Sequence, residues 1–226
     1  MRTDLHNLTP SEAALLANVC VAAVATSPTE AVTLALAGHS LHTCVAGFLG
    51  KEITEAAVNK AVDDGIVRRK LDKRHAARRP IRQLDEAAVL FIVSCKVISV
   101  TLSKQKKREL YSWLADDRER NARTWSPSPM LQFVPGPHLK AWRNLINHYA
   151  EARDRHIVHD PEIMGGLPVI RGTRIPVYSV AARVDGGDSL EEIEADYPYV
   201  PLNALKAAVL YARSHAKPGR PRRIRD

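Results

Sequence analysis

Aromatic residues make up only 5% of this 226-residue chain, although 45% of it is hydrophobic. A core with so few rings must be built from Ala, Val, Leu and Ile, and Ala- and Leu-rich periodic stretches favour helix. Cysteine is equally scarce: Cys20, Cys44 and Cys95 stand far apart, with no C-x-x-C pair. That spacing excludes a zinc knuckle or a dithiol redox motif and leaves reduced thiols acting as small buried hydrophobes in a cytoplasmic protein. Long apolar runs are missing too. Residues 13–50 lean apolar, but Ser27, Pro28, Thr29, Glu30, His39 and His42 interrupt them, so no membrane span is expected. The opening MRTDLHNLTPSE lacks an apolar stretch, and no secretory signal is expected from it. There is no internal repeat.

Catalytic signatures are also lacking. Gly165-Gly166 is not followed by the G-x-x-x-x-G-K-[ST] pattern of a phosphate loop. His156, His159, Asp160 and Glu162 fit no standard metal-ligand spacing. Asp116, Asp117, Asp160 and Glu162 are scattered, without the βαβ rhythm that gathers carboxylates around the metal of a PIN-type nuclease. The expectation is a protein that is not an enzyme and holds no metal or cofactor. What the chain has in quantity is positive charge: net +8, with a pI near 9.6. Such a balance points to nucleic acid or an acidic protein surface as partner.

Along the chain, Thr9-Pro10-Ser11-Glu12 reads as a helix start, with Thr9 as N-cap, Pro10 at the first helical position and Glu12 closing a capping box. That helix runs through 13–19. A second is expected at 54–64, with Ala57, Val58, Ala61 and Val62 on its inner face and Gly65 ending it. Short apolar strands then bracket a basic loop, and Leu84-Asp85-Glu86 opens a helix to about Val97. Ser103 starts another over 104–118. Residues 120–138 carry Pro127, Pro129, Pro135 and Pro137 and read as a linker, with a strand at 130–134. An amphipathic helix follows at 139–155. Residues 160–177, with three Pro and three Gly, read as a hairpin in which Gly172 takes positive φ. Helices over 177–184, 189–197 and 202–215 complete the pattern, and a basic tail ends the chain.

The stretch 68–82 holds eight Lys/Arg against one Asp. On a hairpin, Arg68, Arg69, Lys73, Arg74, Arg78 and Arg79 would lie along DNA phosphates. The 54–64 helix would be the recognition helix, Asn59 facing an adenine edge and Lys60 a guanine or phosphate. Glu55, Asp63 and Asp64 count against that, since they repel phosphate. Arg171 and Arg174 flank the Gly172 turn. They either grip phosphate or lock the hairpin onto acids such as Glu191 and Glu192. In the tail, Arg220, Arg222, Arg223 and Arg225 are suited to a carboxylate-lined cleft or to DNA.

The phrases DPEIMGGLPVIRGTRIPV, GGDSLEEIEADYP and ALKAAVLYA resemble the VapB-type antitoxin module catalogued as domain of unknown function 433, over about 156–214. LTPSEAALLANV, AAVNKAVDDGIV and LSKQKKRELYSWL resemble the MerR-like winged helix-turn-helix that precedes the module in larger antitoxins. The resemblance implies a mainly α fold of two small winged helix-turn-helix-like domains with short β-hairpins. The division implied is 1–100 for the first domain, 101–155 for connecting helices and linker, 156–214 for the module and 215–226 for a flexible tail. Residues at about 20–51 interrupt the pattern, as an inserted helical hairpin or as a poorly ordered intrusion. The implied function is that of an antitoxin in a type II toxin–antitoxin pair. Its implied partners are a PIN-type ribonuclease toxin, double-stranded operator DNA, and further copies in a homodimer or higher assembly. A stand-alone DNA-binding regulator and a metal-dependent nuclease are the rival readings.

Overall fold

The computed structural model describes residues 7–37, 45, 52–72, 81–97, 101–116, 124–134 and 136–217. The chain divides into two compact units, Met1–Glu151 and Ala152–Asp226.

The first unit begins as its caps dictate. Helix α1 spans Pro10–Ala25; the Thr9 side chain accepts from the Glu12 N–H, and the Glu12 carboxylate answers the Thr9 N–H at 2.7 Å. Ala13, Leu16, Ala17, Cys20 and Val21 are all buried, so α1 is apolar around its whole circumference and covered by neighbours. The helix expected over 13–19 runs further, into the stretch at about 20–51. Its first residues complete α1, and Pro28–Ala37 forms a second helix, α2, packed on α1 through Ala31 and Ala35. Apolar continuity through Cys20–Ala23 extends the helix, where motif spacing placed a break. Residues 38–44 and 46–51 lie outside the described residues.

Helix α3 spans Glu55–Asp63, strands β1 and β2 span Lys70–Asp72 and Ile81–Gln83, and α4 spans Glu86–Val97. Every residue from Glu86 to Ser94 is buried, which makes α4 the central helix of this unit. Helix α5, Lys104–Ala115, starts at the Ser103 cap and buries Leu110, Tyr111, Trp113 and Leu114. It stops short of the expected Arg118 because the backbone turns extended at Asp116. The proline-rich stretch is a two-stranded hairpin, β3 (Trp125–Ser128) and β4 (Leu131–Phe133), rather than a linker with one strand. Pro127 is tolerated there because a two-stranded ribbon leaves one edge of each strand unpaired. Phe133 meets Trp113 edge-on at 5.8 Å. Helix α6, Pro137–His156, docks through Leu139, Trp142, Ile146 and Tyr149. Two polar ties fix its register: Tyr149 donates to Glu12 Oε1 at 2.8 Å, and Arg143 Nε pairs with buried Glu86 at 2.5 Å.

The second unit begins at Ala152, in the last turns of α6. Strands β5 (Ile157–His159) and β6 (Pro168–Ile170) pair antiparallel, and helices α7 (Val177–Asp185), α8 (Leu190–Asp196) and α9 (Leu202–Ser214) follow. Of the hairpin expected over 160–177, β6 bridges to Pro176 across the Gly172 turn, and its strand partner β5 lies ahead of the stretch. Met164, Gly165 and Gly166 take φ of 50°, 66° and 81°, so that segment forms the connection and cannot pair as strand. Helix α9 is the core, burying Ala204, Leu205, Ala207, Ala208 and Val209 against α7, α8 and the hairpin. The fold is mainly helical with small two-stranded antiparallel sheets. Among the described residues no helix is long and apolar enough to cross a membrane.

Candidate nucleic-acid interface

The sequence of α3 alone does not fix where that helix starts; α1 does. The Asn18 side chain, buried in α1, donates to the Ile53 carbonyl and accepts from the Ile53 N–H, both at 2.9 Å. This amide pairs with the backbone as a strand would and sets the chain at the threshold of α3. Thr54 then caps α3, and Ser11 donates to Glu55 Oε2 at 2.6 Å. Reading the sequence missed Asn18. The signal available was a lone amide inside an otherwise apolar helix, which needs a buried partner.

At its other end α3 is closed by α5. Arg108 donates from Nε to the Gly65 carbonyl at 3.0 Å and from Nη2 to the Asp64 carbonyl at 3.3 Å. Lys104 reaches Asp64 Oδ1 at 3.2 Å. Gly65 itself sits at φ +63°, the left-handed conformation that ends a helix. Val58 and Val62 face the core as expected, whereas Ala57 is exposed.

The β1–β2 hairpin pairs Lys70 with Gln83, Leu71 with Arg82 and Asp72 with Ile81. Arg82 ties it to α3: Nη1 donates to Asn59 Oδ1 at 2.9 Å, and Nη2 pairs with Asp63 Oδ1 at 2.8 Å. Past the hairpin, Leu84 exchanges backbone hydrogen bonds with Leu8 at 2.7 and 2.9 Å. Asp85 accepts from the Ala88 N–H and from the Tyr111 hydroxyl at 2.9 and 3.0 Å. Burial first, then the Asp85 charge and hydrogen bond, hold the Tyr111 phenol above its ordinary pKa. It therefore stays a neutral donor at the hairpin's foot.

Of the acids that count against phosphate at α3, Asp63 is paired with Arg82 and Asp64 with Lys104, whereas Glu55 accepts from the neutral groups of Ser11 and Asn59. The Arg82 tie also corrects the role expected of Asn59, whose oxygen is held by Arg82 and whose nitrogen reaches Glu55 at 3.4 Å. A bidentate grip on adenine needs that amide free. Lys60, Arg68 and Arg69 are exposed, and their charged groups have no acidic partner among the described residues. Lys73, Arg74, Arg78 and Arg79 lie outside the described residues.

In the second unit Arg171 is structural, but not as expected. It does not lock onto Glu191 or Glu192. Its Nε donates to the Arg155 carbonyl at 2.8 Å and its Nη2 to the Asp154 carbonyl at 3.1 Å, closing the last turn of α6. Orphan carbonyls at a helix end are ready acceptors, and they lie next to the turn, whereas Glu192 is occupied in the capping box of α8 with Ser189. Gly172 sits at φ +77°, as the turn requires, between Ile170 and Ile175, whose backbones bond at 3.0 Å. Arg174 is exposed with no partner among the described residues. The thiols behave as apolar groups: Cys20 is fully buried, and burial pushes Cys95 up to about 11. No group of His, Cys, Asp or Glu suited to a metal occurs among the described residues. Arg220, Arg222, Arg223 and Arg225 lie outside the described residues.

The fold defines a mainly helical protein in which two hairpins are tied to helices by arginines. Residues 157–212, the hairpin and the three helices of the second unit, match a family described as protein of unknown function DUF433. The match describes that module. Over 189 residues the chain is 29% identical to the uncharacterized protein y4eO of Sinorhizobium fredii (strain NBRC 101917 / NGR234), an alignment covering 76% of this chain and 85% of that protein. No solved structure matches.

Proposed function

We propose that the chain is a VapB-type antitoxin that binds operator DNA through its first unit and neutralises a PIN-type ribonuclease toxin. The observation that carries the DNA half is the Arg82 bridge. It fastens a hairpin within a stretch of eight Lys/Arg to α3, and it neutralises Asp63 where phosphate would approach. Lys60, Arg68 and Arg69, without acidic partners among the described residues, then supply cations in the segment that runs from α3 into the hairpin. In this reading α3, β1 and β2 act as a MerR-like winged helix-turn-helix. Affinity rests on phosphate contacts by the wing more than on base contacts by Asn59.

The toxin half rests on the resemblance of the C-terminal module and on the tail. Arg220, Arg222, Arg223 and Arg225 match the carboxylates of a metal-dependent nuclease cleft, since guanidinium pairs with carboxylate in a bidentate fork. Neutralisation of this kind needs binding in the cytoplasm, without catalysis or cofactor, by a homodimer or a mixed toxin–antitoxin assembly. A stand-alone regulator shares the DNA half and lacks the partner.

Reversing the charge of Arg68, Arg69, Arg78 and Arg79 should weaken binding to operator and random duplexes alike. It should also lower the slope of log affinity against log salt by roughly 0.9 for each phosphate no longer neutralised. A band-shift titration with an unchanged slope would refute the wing. Co-expression with the neighbouring reading frame, scored for co-purification and restored growth, separates the antitoxin from the stand-alone regulator.

A further inference from the structure

The loop between α8 and α9 carries Tyr197, Pro198, Tyr199 and Pro201. Tyr199 is 69% exposed, and Tyr197 stands edge-on to it with ring centroids 6.3 Å apart. The loop is held at every step. The Tyr197 N–H donates to the Ile193 and Glu194 carbonyls, both at 3.1 Å, and the Val200 N–H returns to the Tyr197 carbonyl at 2.8 Å. The Val200 side chain is buried, and Glu194 Oε1 accepts from the Leu202 N–H at 3.1 Å across the loop's base. The prolines remove further freedom. A tyrosine displayed on a rigid loop loses little entropy on binding, which is why such residues anchor interfaces.

The charge around the loop selects the partner. Within the matched module, residues 157–212, there are eight Asp/Glu against four Lys/Arg, although the whole chain is +8. On and beside α8, Arg183 binds both Asp188 and Asp196, at 2.6 and 2.7 Å, and Glu192 is spent on the cap. Glu191 and Glu194 Oε2 have no partner among the described residues. Carboxylates with spare acceptors on the helix that leads into the loop of an exposed ring suit a guanidinium. Its plane stacks on the ring while its fork of N–H groups pairs with the carboxylate. An ammonium does each of these less well.

We propose that the Tyr197–Tyr199 loop and the adjoining face of α8 dock an arginine-bearing segment of a separate polypeptide. Docking at this loop is independent of the DNA reading and is measured without DNA.

The test titrates the full chain with ten-residue peptides alternating Arg and Gly, or Lys and Gly, at low salt, and follows Tyr199 by NMR. The Arg–Gly peptide should bind saturably and more tightly than the Lys–Gly peptide. Tyr199→Ala should weaken it by about five-fold or more, and Tyr199→Phe should retain it. Because Tyr199 is largely exposed, an unchanged thermal melt is expected and keeps the comparison clean. Absence of binding, or equal binding by Tyr199→Ala, overturns the proposal. A chain lacking 218–226 that binds about ten-fold more tightly also overturns it, since the tail would then be the occupant.

Discussion

Two of the hairpins among the described residues are secured by an arginine, but to different kinds of acceptor. At β1–β2, Arg82 holds side chains, the Asn59 amide and the Asp63 carboxylate. At the Gly172 turn, Arg171 holds main-chain carbonyls at the end of α6. The first tie includes a charge pair with Asp63 largely exposed, and such pairs are weak and screened by salt. The second uses acceptors that carry no net charge and are present at every helix terminus. A charged tie pairs off a carboxylate, Asp63, as it fastens the hairpin. A main-chain tie suits a scaffold, because it depends on backbone geometry alone.

The largest effect that would test this contrast is at the scaffold turn. Gly172→Val should destabilise the second unit by about 1–3 kcal/mol, because a β-branched residue is strained at φ +77°. No atom lies within 4 Å of the added Cβ, so the cost is conformational rather than a clash. Hydrogen exchange on the full chain should show faster exchange at Ile170 and Ile175, with the first unit unchanged. Unaltered protection there would mean that the turn is not under conformational control.

Next in size are the arginines themselves. Arg82→Met and Arg171→Met should each cost about 0.5–1.5 kcal/mol of local stability. The difference between them should appear in salt. One molar NaCl should erase much of the Arg82 effect and leave that of Arg171. Equal salt sensitivity, measured by exchange at Arg82-paired Leu71 and at Arg171 itself, would dissolve the distinction between the two hairpins.

The smallest effect concerns acid. Glu192 accepts from the Ser189 N–H at 2.7 Å and from its hydroxyl at 2.8 Å, and these bonds hold its carboxyl below the ordinary 4.5. The stability from this lowered pKa is complete above the unfolded value and is lost as pH falls through the folded one. Glu192→Gln should therefore flatten the acid dependence of the second unit below about pH 5. An unchanged acid limb in a pH series of melts would contradict this.

Much of the scaffold was legible because its determinants are local. Thr9, Pro10 and Glu12 announce α1, Ser103 announces α5, and Gly172 must adopt the conformation that its turn demands. The interface was less legible because its determinants are distant in sequence. Nothing near Asn59 signals that Arg82 will occupy its amide, and nothing near Ile53 signals that Asn18 will pair with its backbone. The partner of Arg171 was misassigned for a related reason. Side-chain charges can be read from sequence, whereas the unpaired carbonyls of a helix end become acceptors only where the helix stops.

By itself the sequence determined the helical character, the capped starts, the positive-φ turns and the concentration of charge at 68–82. These follow from backbone sterics, propensities and periodicity acting over a few residues. Only the tertiary structure decided that α1 runs on through residues 20–25, that Asp63 and Asp64 are paired with Arg82 and Lys104, and that Glu55 accepts a hydrogen bond from Ser11. It alone placed Arg171 on α6 and left Tyr199 in solvent. Those outcomes depend on which distant groups the packing brings within hydrogen-bond reach, and a difference of one helical turn would change every one of them.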